Sequence, residues 1–535
     1  MKARFSFLVL CLATLTVAAK GNVKPFGARN IPLPPAEAGD EFPVVRNPLF
    51  TSATANYGAN LTGTAFFDQL LDHNDPNKGK FKQQYWWNAT TWAGKGSPVV
   101  FFTPGEVAAA AYTGYLTNRT IVGIFAQEIN GAAVILEHRY YGASSPYDTL
   151  TVENLQLLTV EQAILDATYF AQTVDFAFDT DHSSNAANAP WVFSGGSYSG
   201  ALAAWTESVY PGVFWAYHAS SAPVEAIEDF WEYFSPIQNG MAQNCSADTT
   251  LVIDYVDNIL KKGTAAEVTA LKIMFGFEAL EHAGDFGNVL QSGPWNWQDQ
   301  EAYTGYSGFQ LWCDYVENIF EANSTGIPGA AGVGLQKALA GYADYIRPED
   351  NGKDVCTGYG YAEYDFGCYD SYDPNNVFYT DLTIDNIANR HGAPSSTRTI
   401  VSRFVDETYW QQQCPLYFPT EVTATGTYTY RSNLSPDNNV HKENEWTQGW
   451  RLEATTRLTW TNGEYDPWMP AGVSSPDRPN GPLASTAQHP VNVIPKGIHC
   501  YDLIAKNGVA DPGTQAVIDT EVKQIVEWVD EYYKK

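Results

Sequence analysis

Positive charge is scarce in this chain: 31 Lys and Arg stand against 60 Asp and Glu, a formal net charge of −29. Phosphate recognition needs clustered Lys and Arg, so neither nucleic acid nor an anionic membrane is expected as a partner. The same scarcity limits self-repulsion when carboxylates protonate, which fits acidic surroundings. There is no Cys-x-x-C pair, so a zinc ribbon or a thioredoxin-like site is not expected. His-Glu-x-x-His and phosphate-binding loops are also missing, and Asp365, Asp370 and Asp373 lack the alternating ligand spacing of a calcium loop. No metal and no cofactor are expected. Internal repeats and low-complexity tracts are absent. After residue 19 no apolar run approaches the roughly 20 residues that cross a bilayer.

What is present begins with a targeting pattern. Met1-Lys2-Ala3-Arg4 leads into an apolar run over 5–19 that ends Val17-Ala18-Ala19, as in a secretory signal peptide. Export is expected, to the extracellular space or alternatively to a vacuole or lysosome. Six Asn-x-Ser/Thr sequons, at Asn60, Asn88, Asn118, Asn244, Asn323 and Asn433, fit that route as glycosylation sites. Cys11 would leave with the signal, so Cys245, Cys313, Cys356, Cys368, Cys414 and Cys500 form an even set expected to make structural disulfides, with the pairing open. Residues 20–48, with Ile31-Pro32-Leu33-Pro34-Pro35, read as an extended leader or a propeptide.

The rest is long enough for a catalytic domain with an insertion. Val99-Val100-Phe101-Phe102, Ala133-Val134-Ile135-Leu136 and Trp191-Val192-Phe193 are short apolar runs of the kind buried in a parallel sheet. Thr159-Val160-Glu161-Gln162 opens a helix between them with a capping-box pattern. Strand texture returns at 457–460 and 491–494, and an amphipathic helix with Ile518, Val522, Ile525 and Val529 on one face closes the chain. The expected architecture is α/β: a core over 49–223 and 451–535, with a mainly helical cap inserted over 224–450.

Chemistry is concentrated at Ser194-Gly195-Gly196-Ser197-Tyr198-Ser199-Gly200, small residues around one serine between a strand and a helix-forming run. That is the context of a nucleophile elbow, although Ser199 stands where the usual pattern has glycine. The acid and base of such a site follow on loops after late strands. Asp466 in Asn462-Gly463-Glu464-Tyr465-Asp466-Pro467-Trp468 and His499 in Gly497-Ile498-His499 fall there. The Tyr198 N–H is the expected oxyanion donor, with a second from Gly105 or Glu106. Trp468, two residues past Asp466, is expected to wall the substrate pocket together with Tyr198. Glu137-His138-Arg139 is expected to pair structurally rather than catalyse.

Several separated motifs resemble the serine peptidases that include prolyl carboxypeptidase, dipeptidyl peptidase II and the fungal acid prolyl endopeptidases. They are Gln69-Leu70-Leu71-Asp72-His73-Asn74, Glu137-His138-Arg139-Tyr140-Tyr141-Gly142, Gly195-Gly196-Ser197-Tyr198, Ala219-Ser220-Ser221-Ala222-Pro223, Asn462 to Trp468 and Gly497-Ile498-His499. The resemblance implies an α/β-hydrolase core under a helical cap and cleavage after proline in proline-containing peptides or proteins, with activity in acid. Endo- and exopeptidase action both stay open, as does the oligomeric state. An esterase or lipase on the same fold, and an inactive secreted binding glycoprotein, are the alternatives.

Overall fold

The computed structural model describes residues 31–35, 61–320, 326–347, 355–362, 365–384, 400–429 and 440–534. The signal segment, most of the leader and the sequons at Asn60, Asn323 and Asn433 lie outside the described residues.

Ten strands are described: β1 (Thr62–Leu70), β2 (Lys80–Asn88), β3 (Val99–Phe102), β4 (Ala132–Leu136), β5 (Trp191–Gly196), β6 (Ala216–Ser220), β7 (Glu421–Val422), β8 (Thr427–Tyr428), β9 (Leu458–Gly463) and β10 (Val491–Ile494). Eight of them form one sheet in the order β1-β2-β4-β3-β5-β6-β9-β10. β1 and β2 enter antiparallel, and every pairing from β4 to β10 is parallel. Each apolar run is continuous because both sheet faces are covered, and its alternate side chains go to different cores. Val99 and Phe101 pack with the helices α2 (Val160–Thr173) and α3 (Tyr198–Val209). Val100 and Phe102 pack with α1 (Ile121–Glu128) and the C-terminal helix Pro512–Tyr533 on the other side. That C-terminal helix buries Ile518, Ile525, Trp528 and Val529.

The helix α2 starts at the Thr159 cap, whose hydroxyl accepts from Gln162 N–H. The reciprocal half of the box is not made: the Gln162 side chain accepts from His73 N–H and donates to Asp72.

Between β6 and β9 the described chain is mainly helical, with a core that includes Phe275, Phe286, Trp312 and Tyr342 and runs on to Ile494, Ile498 and Tyr501 of the sheet domain. Cys245 is bonded to Cys313 and Cys356 to Cys368 within it. The expectation of a fully paired cysteine set is corrected here: Cys414 and Cys500 are free thiols. Cys500 is enclosed in the core beneath the sheet, with Ile31, Leu503 and Ile504.

The short stretch 31–35 is tied to the sheet domain. Ile31 is buried, its carbonyl accepts from Tyr112 Oη, and the Pro32 and Pro35 carbonyls accept from Tyr115 Oη and the Arg119 guanidinium. A parallel sheet with helices on both faces, a strand-to-helix serine turn after its central strand and a helical insertion after β6 make this an α/β-hydrolase fold with a helical cap.

Candidate active site

Ser197 sits between β5 and α3 with φ 56° and ψ −130°, a conformation few non-glycine residues adopt. Its neighbours must be small. A Cβ on Gly195 would lie 2.2 Å from the Ser199 carbonyl oxygen, one on Gly200 2.7 Å from Ser220 O, and one on Gly196 2.5 Å from Leu503. Ser197 N–H donates to Ser220 O at 2.9 Å, tying the turn to β6. Ser199 is buried, and its hydroxyl donates to Thr103 O at 2.5 Å, a link from the elbow to the loop after β3 that glycine could not make.

Asp466 and His499 are brought together by the loops after β9 and β10. These loops touch at glycines: a Cβ on Gly463 would lie 2.4 Å from the Gly497 carbonyl. His499 Nδ1 and Asp466 Oδ1 are 3.0 Å apart, with both residues buried. Asp466 is held in turn by Trp468 N–H at 3.0 Å. His499 Nε2, buried and without a hydrogen-bond partner among the described residues, is the ring nitrogen left to take a proton. Burial alone would lower the His499 pKa, yet it stands well above the ordinary imidazole value through the neighbouring Cys500 and Asp466 side chains. Burial holds the Cys500 thiol above its own ordinary range, so the charge responsible is that of Asp466.

A cavity of about 290 Å³ opens beside Ser197, walled by Tyr198, Pro223, Phe230 and Trp468, with Ile31 and Glu106 also in its lining. Trp468 is fixed on three sides: its indole N–H donates to Gln298 at 3.0 Å, and its ring centroid lies 5.3 Å from that of Tyr233 and 6.4 Å from that of His499. Tyr198 Oη and His138 Nε2 are 3.0 Å apart. Burial drives the His138 pKa down to about 4, so a neutral imidazole there accepts the tyrosine proton. Of the two other expected oxyanion donors, Gly105 N–H leans on the Thr103 hydroxyl at 3.4 Å, and the Glu106 carboxyl group faces its own N–H.

Glu137, His138 and Arg139 do not reach Ser197 as a charged cluster. Arg139 forks onto Asp166 with two 2.6 Å bonds, and Glu137 accepts from Ala109 N–H, Ala143 N–H and Ser144 Oγ. Among the sequons, Asn118 is exposed, Asn88 donates its amide to Leu116 O, and Asn244 is buried.

Sequence reasoning missed a buried cluster under the elbow. His218 Nδ1 lies 2.9 Å from Ser194 Oγ, and its Nε2 lies 3.2 Å from Asp502 and 3.3 Å from Glu521. The three residues have the ligand spacing of a metal site. The imidazole is pushed up to about 9, since the two carboxylates outweigh its burial, and a protonated ring offsets part of their charge. His218 and Glu521 are 303 residues apart, so no sequence pattern announces the cluster.

The comparisons agree with this geometry. The sequence pattern of the serine carboxypeptidase S28 family matches residues 69–291. The serine protease vicPa of Bipolaris victoriae is 37% identical over 491 residues, covering 88% of this chain and 90% of that one. A probable extracellular serine carboxypeptidase of Arthroderma benhamiae is 28% identical over 83% of this chain and 63% of its own. The bovine lysosomal Pro-X carboxypeptidase is 24% identical over 94% of this chain and 96% of its own. An elbow serine over a parallel sheet, a buried Asp–His pair on the late loops and relatives aligned over most of their length lead to one conclusion: the chain belongs to the serine carboxypeptidase S28 family and is a serine-type peptidase.

Proposed function

We propose that the protein is an exported peptidase that cleaves on the carboxyl side of proline through an acyl-enzyme on Ser197. In this reading His499 takes the Ser197 proton and later delivers it to the leaving amine, while Asp466 fixes the imidazole and stabilises its charged form. The Tyr198 N–H and the loop after β3 receive the oxyanion.

The observation that carries the specificity is the cavity beside Ser197. Its Trp468 and Phe230 rings, with centroids 5.8 Å apart, offer an apolar wall to a compact pyrrolidine ring. The names of two relatives, a Pro-X carboxypeptidase and an extracellular carboxypeptidase, point the same way for specificity and export.

The test is product analysis on a library of proline-containing peptides, with free and blocked carboxyl ends to separate exo- from endopeptidase action. Cleavage after proline is expected, and Ser197→Ala should lower kcat by roughly 10⁴-fold or more. Hydrolysis of simple esters with no cleavage of prolyl peptides would favour an esterase instead.

A further inference from the structure

Glu106 shares the cavity with Ser197, Tyr198 and Trp468, and among the described residues no Lys, Arg or His lines that cavity. The preceding Gly105 has φ +81° and swings the loop across the end of β3, so that its position for a Cβ lies 3.1 Å from the Tyr198 ring. The loop therefore lies against the elbow, where a second oxyanion donor belongs. The Glu106 carboxyl group faces its own N–H there, an interaction that favours the ionised form. Glu225, the other acid of the cavity wall, differs: its carboxylate is committed to Trp450 N–H and the Asn444 amide.

We propose that Glu106 acts at the oxyanion site as a carboxylic acid, and that its ionised form switches the site off. When ionised, the side chain caps the loop N–H and sets a negative charge beside the acyl oxygen that must itself become negative. When neutral, it releases the N–H and adds an O–H donor to the same oxygen. The proton stays on Glu106 throughout, so only hydrogen bonds change.

The electrostatic surroundings favour the neutral acid. Burial pushes Glu106 up to about 7, against its own N–H and the facing His499. Tyr112 faces it from the following turn, and Glu225 lies across the cavity. Glu301, bonded to Asn507 and also facing His499, is pushed by burial up to about 8. His499 is the only basic group among them. Keeping both acids neutral spares His499 two negative charges that would hold it protonated, which helps a triad whose imidazole is already raised by Asp466.

The proposal rests on Ser197 as nucleophile, and the experiment separates the two. The pH profile of kcat is measured on a prolyl peptide from about pH 4 to about pH 9 for wild type, Glu106→Gln, Glu106→Ala and Ser197→Ala, with circular dichroism to follow folding. Wild type should lose activity about tenfold per pH unit above roughly 7. Glu106→Gln, a neutral donor at every pH, should stay within about threefold of its optimum there. Glu106→Ala should lose the alkaline decline as well, but fall on the order of 10²-fold in kcat at its optimum for want of the donor, and it serves alone if the Gln variant does not fold. An inactive Ser197→Ala together with Glu106 variants whose profiles superimpose on wild type would overturn the role of Glu106 alone. A Ser197→Ala enzyme as active as wild type would overturn the nucleophile, and this proposal with it.

Discussion

Single side chains decide whether the elbow works, and Ser199 shows how. The pattern expected of this turn has glycine there, yet the hydroxyl reaches Thr103 O and fastens the elbow to the loop that carries Gly105 and Glu106. Ser199→Gly should leave a buried carbonyl without that donor and lower unfolding free energy by about 1–3 kcal/mol, read from denaturant titration, with a loss in kcat as the loop drifts. Trp468→Ala should lower kcat/KM for prolyl peptides roughly 10- to 1000-fold while a small fluorophosphonate still labels Ser197. Prolyl turnover equal to wild type would take Trp468 out of the pocket. Ser197, Asp466, His499 and Trp468 could be singled out in the sequence because each follows an apolar run at a short distance. The upward pKa shift of Glu106 and Glu301 could not, because it depends on what encloses a carboxyl group.

At the level of elements, the buried His218, Asp502 and Glu521 cluster binds β6, the C-terminal helix and the segment after His499 into one unit. Ser220 Oγ donates to Asp502 at 2.6 Å, and Thr461 Oγ1 donates to Glu521. His218→Ala would leave two carboxylates buried without a counter-charge and should cost about 3–5 kcal/mol. The pH dependence has a definite sign. His218 is raised from 6.5 to about 9, so its contribution is complete below the unfolded value and is lost as pH rises through about 9. Glu521, raised chiefly by burial, acts in the same direction. The melting temperature of the wild type should therefore fall between about pH 6.5 and about pH 9, and His218→Gln should lose the His218 share of that slope. Of the parallel strands β3, β4, β5, β9 and β10 were readable from their strand texture, whereas the parallel β6 and the antiparallel β1 and β2 were passed over. Polar residues interrupt the antiparallel pair, and β6 carries His218 and Ser220, whose partners lie far along the chain.

Across the whole molecule, cross-links and sheet are segregated. Both disulfides lie in the helical insertion, closing separations of 68 and 12 residues, and none among the described residues touches the eight-stranded sheet. Each should contribute about 3–5 kcal/mol through the unfolded chain. Mild reduction should expose the insertion to limited proteolysis first, with fragments carrying the sheet surviving longest on a denaturing gel. Simultaneous loss of both regions would mean that they unfold as one unit. An insertion was legible from the loss of strand rhythm, but its pairing was not, since fifteen pairings of six cysteines are equivalent until the helices place Cys245 beside Cys313.

The docking of Ile31 against Gly196 and into the cavity lining bears on how the enzyme matures. A leader trimmed away entirely up to residue 48 would take with it a wall of the substrate cavity and the backbone acceptors of Tyr112 and Tyr115. The expected activating cut falls on the amino side of Ile31, checked by the N-terminal sequence of the active form; a start beyond Pro35 would make this segment removable instead. An engineered chain starting at Leu49 should fold less stably and bind prolyl substrates poorly, and equal stability and turnover would make residues 31–35 dispensable.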